Sequence, residues 1–272
     1  MSYDDDKLVL LRALRPLEDV LGEIILVGGW AHRLHAHHPL ATQEGRLLNT
    51  LDADLFITTP TSKGPRREAL HAAGFTIRPG GHETPPVTEY LLATDADEFE
   101  VEFLAHRQGA EVDRHGIRRV TTRFGDVVAI LLPFMDVMAH EPWTCTVEPS
   151  AASAPDPRPL TLRVVSPAAY VAHKLMVLKD RPVLKRHQDV RYLYETLRRF
   201  APALSTLHAS WSRRSSTKGE LKRVSDGRRF LTDSLIAYAA DTPDLEGMTA
   251  DKKHLRLVLD DGLHEIFDPL PR

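Results

Sequence analysis

The chain has 272 residues, 42% of them apolar and 27% charged, with a formal net charge of -3. This length holds one large domain or two modest ones, of which two is the preferred reading, and the ordinary balance of apolar and charged residues excludes wholesale disorder. The single cysteine, Cys145, excludes an intrachain disulfide framework and a cysteine-based zinc cluster, and the net charge gives no overall argument for a nucleic-acid partner.

Met1 to Lys7 is acidic, with neither the basic start nor the apolar core of a secretion signal. No stretch approaches the roughly 20 apolar residues of a membrane span, so a soluble, cytoplasmic protein without a membrane partner is expected. From Asp5 to Leu21, apolar residues at Leu8, Leu11, Leu14, Leu17, Val20 and Leu21 recur at helical spacing and predict an amphipathic helix that Gly22 ends. Ile24-Ile25-Leu26-Val27 then reads as a short strand. Gly28-Gly29 follows directly, and Trp30 to Leu34 is compatible with helix, giving strand, tight turn and helix.

Leu51 to Thr58 alternates, with Leu51, Ala53, Leu55 and Ile57 set against Asp52, Asp54 and Phe56, so both aspartates share one face of a strand. Pro60 to Ala73 reads as helix. Short strand-like pieces follow around Phe75 to Ile77, Val87 to Ala93 and Phe99 to Leu104. Glu148 to Pro159 holds four prolines among small residues and favours an extended linker or loop. After a strand at Leu162 to Val165, helix dominates: Pro167 to Lys179, His187 to Phe200, a piece near Lys218 to Val224, and Arg229 to Ala240.

Phosphoryl chemistry on a nucleoside triphosphate needs a magnesium ion on phosphate oxygens, and carboxylates are its usual protein ligands. Asp52-Ala53-Asp54 supplies two, which project from one side of a strand about 7 Å apart along the backbone. An isolated pair of this kind more often caps a helix or is solvated. Here an upstream Gly28-Gly29 turn, between strand and helix, presents backbone N–H groups that can cradle phosphate. A third carboxylate can come from Phe99-Glu100-Val101-Glu102-Phe103, with Glu102 preferred over Glu100 because it lies deeper in the apolar context.

Strand, Gly-Gly-Trp-Ala and helix, then Leu-Asp-Ala-Asp-Leu, then a glutamate between hydrophobic residues, resemble the nucleotidyltransferase superfamily related to DNA polymerase β. Gly28, Gly29, Asp52, Asp54 and Glu102 stand at its motif positions, although its third acid is more often aspartate. Ser166 to Leu175, followed by Arg181, Lys185 and Asp189, is similar to the helical part of bacterial abortive-infection and toxin-type nucleotidyltransferases. The resemblance implies an α/β (α+β) catalytic domain with a mixed sheet over residues 1–160. A helical domain over 161–272 would complete the cleft for nucleotide and acceptor. It implies Asp52, Asp54 and Glu102 as catalytic ligands of Mg2+ or Mn2+, and Gly28, Gly29, Lys174, Lys185 and Asp189 as nucleotide-binding residues.

Lys174 and Lys185 suit point-charge neutralisation of a triphosphate, and Asp189 could orient a lysine or act as a base. The plainer reading has Lys174 snorkelling and Asp189 paired on the surface with Arg186 or Lys185. Asp95-Ala96-Asp97 competes for the metal but reads as a turn between strands. His32, His35, His37 and His38 raise a zinc site, against a solvated helix end as the plain alternative. Trp30 reads as core packing rather than a base-stacking platform. Arg213, Arg214, Lys218, Lys222, Arg223, Arg228 and Arg229 form a basic run that could hold an RNA acceptor, or simply face solvent. The alternatives to nucleotidyl transfer are a non-catalytic nucleotide-binding or antitoxin-like interaction protein that keeps the fold, and a zinc hydrolase built on the histidines.

Overall fold

The computed structural model describes residues 3–50, 52–58, 64–83, 85–94, 98–107, 120–149, 156, 158–241 and 252–268. Leu51, the Asp95-Ala96-Asp97 triplet, the first part of the helix expected over Pro60 to Ala73 and most of the proline-rich stretch lie outside the described residues. The chain forms two compact units, one of Met1–Ala31 with Asn49–Val165 and the other of His32–Leu48 with Ser166–Arg272.

The first unit is built on a mixed sheet. Its strands are β1 (Ile24–Val27), β2 (Asp52–Ile57), β3 (Phe75–Gly80), β4 (Val87–Ala93), β5 (Glu98–His106), β6 (Thr121–Phe124), β7 (Val127–Leu132), β8 (Trp143–Val147) and β9 (Leu160–Val164). The main path runs β3-β4-β5-β2-β1-β9-β8, with the β6–β7 hairpin attached to β5. β2 lies antiparallel to β1 and parallel to β5. β1 is buried along its whole length, as an uninterrupted Ile-Ile-Leu-Val run requires. β2 and β5 instead alternate. Ala53, Leu55, Val101 and Phe103 are buried, while the acids between them are only partly so.

α1 (Tyr3–Leu14) opens the chain, and a 3-10 helix over Arg15–Glu23 continues it. The sequence predicts one amphipathic helix through Leu21. Pro16 accounts for the difference, because it lacks the N–H an α-helical ladder needs. Leu17, Val20 and Leu21 remain buried on the tighter spiral. α2 (Gly28–Leu34) follows β1, and α3 (Arg67–Ala72) covers only the second half of the helix read from Pro60.

The second unit is helical, with α4 (Pro167–Leu178), α5 (Val183–Arg199), α6 (Leu204–Ser212), α7 (Lys218–Asp241) and α8 (Lys252–Phe267). α4 is buried on nearly every side, as its apolar composition demands. α7 is one helix where the sequence suggests two pieces, Lys218 to Val224 and Arg229 to Ala240. A Cβ at Gly227 would meet the Leu175 carbonyl oxygen at 2.2 Å, so glycine stands there for close helix packing and not to break the helix.

Residues 32–48 belong to this unit through α5. The Thr42 amide and hydroxyl both donate to the Arg199 carbonyl, at 2.9 and 3.0 Å. Arg199 donates to the Gly45 carbonyl at 2.9 Å, and the Arg46 amide donates to the Glu195 carboxylate at 2.7 Å. Gly45 has a φ of 83°, and a Cβ there would lie 2.6 Å from the Glu195 carbonyl oxygen. This is the α+β arrangement with a mixed sheet and a C-terminal helical part that the sequence implies. Among the described residues no helix is long and apolar enough to cross a membrane.

Candidate active site

Parallel pairing of β2 with β5 sets Asp52 opposite Glu100 and Asp54 opposite Glu102. Residues two apart on a strand share a face, so these four acids form a two-by-two array, with neighbouring strands about 4.8 Å apart. Asp54 also lies opposite Val27 on β1, the residue before Gly28. Gly28 has a φ of 64°, and a Cβ built on it would fall 1.7 Å from Asp54 Oδ2. The Asp54 carboxylate therefore rests against the bare Cα of the glycine turn. The two motifs lie some two dozen residues apart in sequence, and an antiparallel strand pair brings them together.

Electrostatics in the array is unfavourable as long as every acid is ionised. Like charges 4–5 Å apart repel by roughly 3–4 kcal/mol at an effective dielectric of 20. The Glu102 carboxyl is pushed up to about 8, first by burial, then by the Asp54 charge and by a hydrogen bond with Asp54. Glu100 is raised as well, by burial and then by Glu89, Asp52 and Asp54. Asp52 accepts a hydrogen bond from the Thr50 hydroxyl. Thr50 and Glu89 are parts of this site that the sequence reading missed. No motif marks Thr50, and Glu89 enters only through the pairing of β4 with β5.

Among the described residues, no group of three or more His, Cys, Asp or Glu side chains is arranged to hold a metal ion. Magnesium does not require such a cage, since it is commonly bound by one or two carboxylates together with substrate phosphates and water. A hard oxygen donor pair, Asp54 and Glu102, whose repulsion is relieved by a shared proton, fits a hard divalent cation in the proton's place.

Gly29 lies in the first turn of α2. Lys174, Lys185 and Asp189 lie in the helical unit, whereas the carboxylate array and Gly28 lie in the sheet unit. Lys174 and Asp189 form a buried ion pair, with side chains 9% and 4% exposed. Arg181 approaches the other Asp189 oxygen at 3.3 Å. The Lys174 ammonium also stands over the rings of Tyr192 and Tyr170, 4.9 and 5.5 Å from their centroids. Asp189 is thus not the surface partner of Arg186 or Lys185. Arg186 donates instead to the Arg181 and Lys179 carbonyls, and Lys185 sits on an exposed face of α5.

Among the described residues, His32, His35, His37 and His38 do not form a ligand group. His32 and His35 are fully buried among aromatic rings, and both His32 nitrogens are engaged within the protein. Trp30 is buried with its ring 6.4 Å from that of Phe99, which makes it core. In the basic run, Arg214 pairs with Glu220, Arg223 with Asp180, Arg228 with Asp268 and Arg229 with Asp226, so much of its charge is met inside the protein.

No curated protein and no solved structure gives a significant match to the chain. A nucleotidyltransferase family matches residues 8–215, a span that contains the Gly28 turn, the carboxylate strands β2 and β5, and helices α4 and α5. With that match over most of its length, the chain belongs to the nucleotidyltransferase family.

Proposed function

We propose that this chain transfers a nucleoside monophosphate from a nucleoside triphosphate to an acceptor hydroxyl and releases pyrophosphate. The observation that carries the reading is the packing of Asp54 against Gly28, with Asp52, Glu100 and Glu102 on the same sheet face. Magnesium or manganese, when bound, would supply positive charge that offsets the charge developing on the departing pyrophosphate. Asp52 and Asp54 are its proposed ligands, and Glu102 completes the set.

The acceptor oxygen attacks the α-phosphorus, the bond from that phosphorus to the bridging oxygen of pyrophosphate breaks, and the hydroxyl proton passes to Glu102. The backbone at Gly28 and Gly29 cradles phosphate, and Lys174, held by Asp189, neutralises it, with Lys185 as a second cation. In this reading the sheet unit, Met1–Ala31 with Asn49–Val165, is the catalytic domain, and the helical unit, His32–Leu48 with Ser166–Arg272, serves nucleotide and acceptor.

The experiment is pyrophosphate release from each of the four ribonucleoside triphosphates with Mg2+ or Mn2+, offered RNA, protein and small hydroxyl acceptors. Release that disappears in Asp52→Asn supports the reading. No release with any acceptor, with triphosphate still bound, favours the non-catalytic nucleotide-binding protein.

A further inference from the structure

His32 lies four residues after Gly28, one turn along the helix that the glycine turn begins, and its side chain is fully buried in the helical unit. Both ring nitrogens are occupied. Nε2 is 3.1 Å from the Arg46 carbonyl, which can only accept, so Nε2 carries the proton. Nδ1, then unprotonated, is 3.2 Å from the Thr196 hydroxyl, whose one proton it shares with the Tyr192 carbonyl 2.7 Å from that oxygen. A buried ring that donates from Nε2 and sets Nδ1 against that hydroxyl is held in one orientation, and its faces and edges are set against their neighbours.

Those neighbours are the two tyrosines that receive Lys174. The His32 ring meets the Tyr192 ring edge-on at 5.0 Å and lies stacked 6.4 Å from Tyr170. Tyr170 and Tyr192 meet each other edge-on at 6.3 Å. The three rings form one aromatic cluster, and the Lys174 ammonium stands over two of them while Asp189 holds it from α5. An aromatic face attracts a cation only at the right place and tilt, so whatever fixes the tyrosines also fixes the ammonium.

We propose that His32 is a positioning residue for Lys174: pinned by Arg46 and Thr196, its ring braces Tyr192 and Tyr170 and thereby sets where the ammonium stands. The inference rests on the reading that Lys174 meets triphosphate. The brace has to be uncharged, since Lys174 and Arg199 both repel a cation there, as does a protonated His35. Burial answers this by lowering the ring to about 3.

The test measures the affinity of a non-hydrolysable nucleoside triphosphate with Mg2+ by calorimetry, and follows the Lys174 ε-methylene signal in selectively 13C-lysine-labelled full-length protein. His32→Ala should weaken binding by about tenfold and move the Lys174 signal away from its ring-shifted position. His32→Phe keeps a ring against Tyr192 and should retain most of the affinity. In a Lys174→Met/Asp189→Asn background, which neutralises the pair together, His32→Ala should cost nothing further. If His32→Ala does not fold, Tyr192→Leu removes the brace from its other side and takes its place. An unmoved lysine signal, or an equal loss with and without Lys174, overturns the inference. Native affinity in the neutral-pair background instead refutes the phosphate role of Lys174, and the two failures are told apart by that one variant.

Discussion

Replacing Gly28 by alanine puts a methyl group where the Asp54 carboxylate rests. The added Cβ would stand 1.7 Å from Asp54 Oδ2 and 2.7 Å from its Cγ, so the carboxylate has to retreat by about 1.5 Å or more to reach ordinary contact. The backbone at a φ of 64° adds strain of about 1–2 kcal/mol for a residue with a side chain. Metal–oxygen bonds tolerate about 0.2 Å, and a misplacement of about 1 Å in an active site costs about 100-fold. Gly28→Ala should therefore lower Mg2+-dependent nucleotidyl transfer by roughly 100-fold or more while the protein still folds. Gly22→Ala is the control, since a Cβ there meets nothing within 4 Å. The assay is initial-rate pyrophosphate release, with thermal unfolding of each variant alongside. Wild-type turnover in Gly28→Ala would refute the claim that the glycine turn and Asp54 form one site.

Glu102, whose carboxyl is raised to about 8, binds a proton in the folded state between pH 4.5 and 8 that the unfolded chain has released, so metal-free stability should fall as pH rises through that window. Glu102→Gln should flatten this dependence and leave the variant more stable than wild type above pH 8, yet poorer in transfer. Thermal midpoints from pH 5 to 9 without metal check it, and a wild-type curve no steeper than that of the variant counts against it. Asp189→Asn strands the buried Lys174 ammonium and should cost about 3–5 kcal/mol, much of which Lys174→Met/Asp189→Asn should recover. Denaturant unfolding of the three proteins decides this, and an Asp189→Asn variant as stable as wild type contradicts it.

The carboxylate strand was legible because a strand buried on one side writes its period of two into the sequence, and Ala53 and Leu55 set the register of Asp52 and Asp54. The choice between Glu100 and Glu102 was not, since residues two apart share a face. The parallel register settles which acid lies opposite Asp54, and pairing between distant strands leaves no local trace. Val127 to Leu132 is a short apolar run that periodicity alone assigns to neither strand nor helix, so β7 and its hairpin partner went unread. The two helical pieces read at Lys218 to Val224 and Arg229 to Ala240 are one helix, and the close approach of Gly227 to the Leu175 carbonyl between them depends on a distant element that local sequence does not show. The buried Lys174–Asp189 pair joins two helices, and a sequence shows the charges without the burial that turns a surface pair into a fixed one.

Binding of Mn2+ followed by electron paramagnetic resonance tests the central claim most directly, because it asks whether the Asp52, Asp54 and Glu102 face holds a divalent cation. With a non-hydrolysable triphosphate present, the account predicts protein-bound Mn2+ in wild type, displaced by Mg2+ and lost in Asp54→Asn, with binding that strengthens as pH rises toward 8 and Glu102 gives up its proton. Mn2+ bound equally by wild type and Asp54→Asn, or by neither, would contradict it.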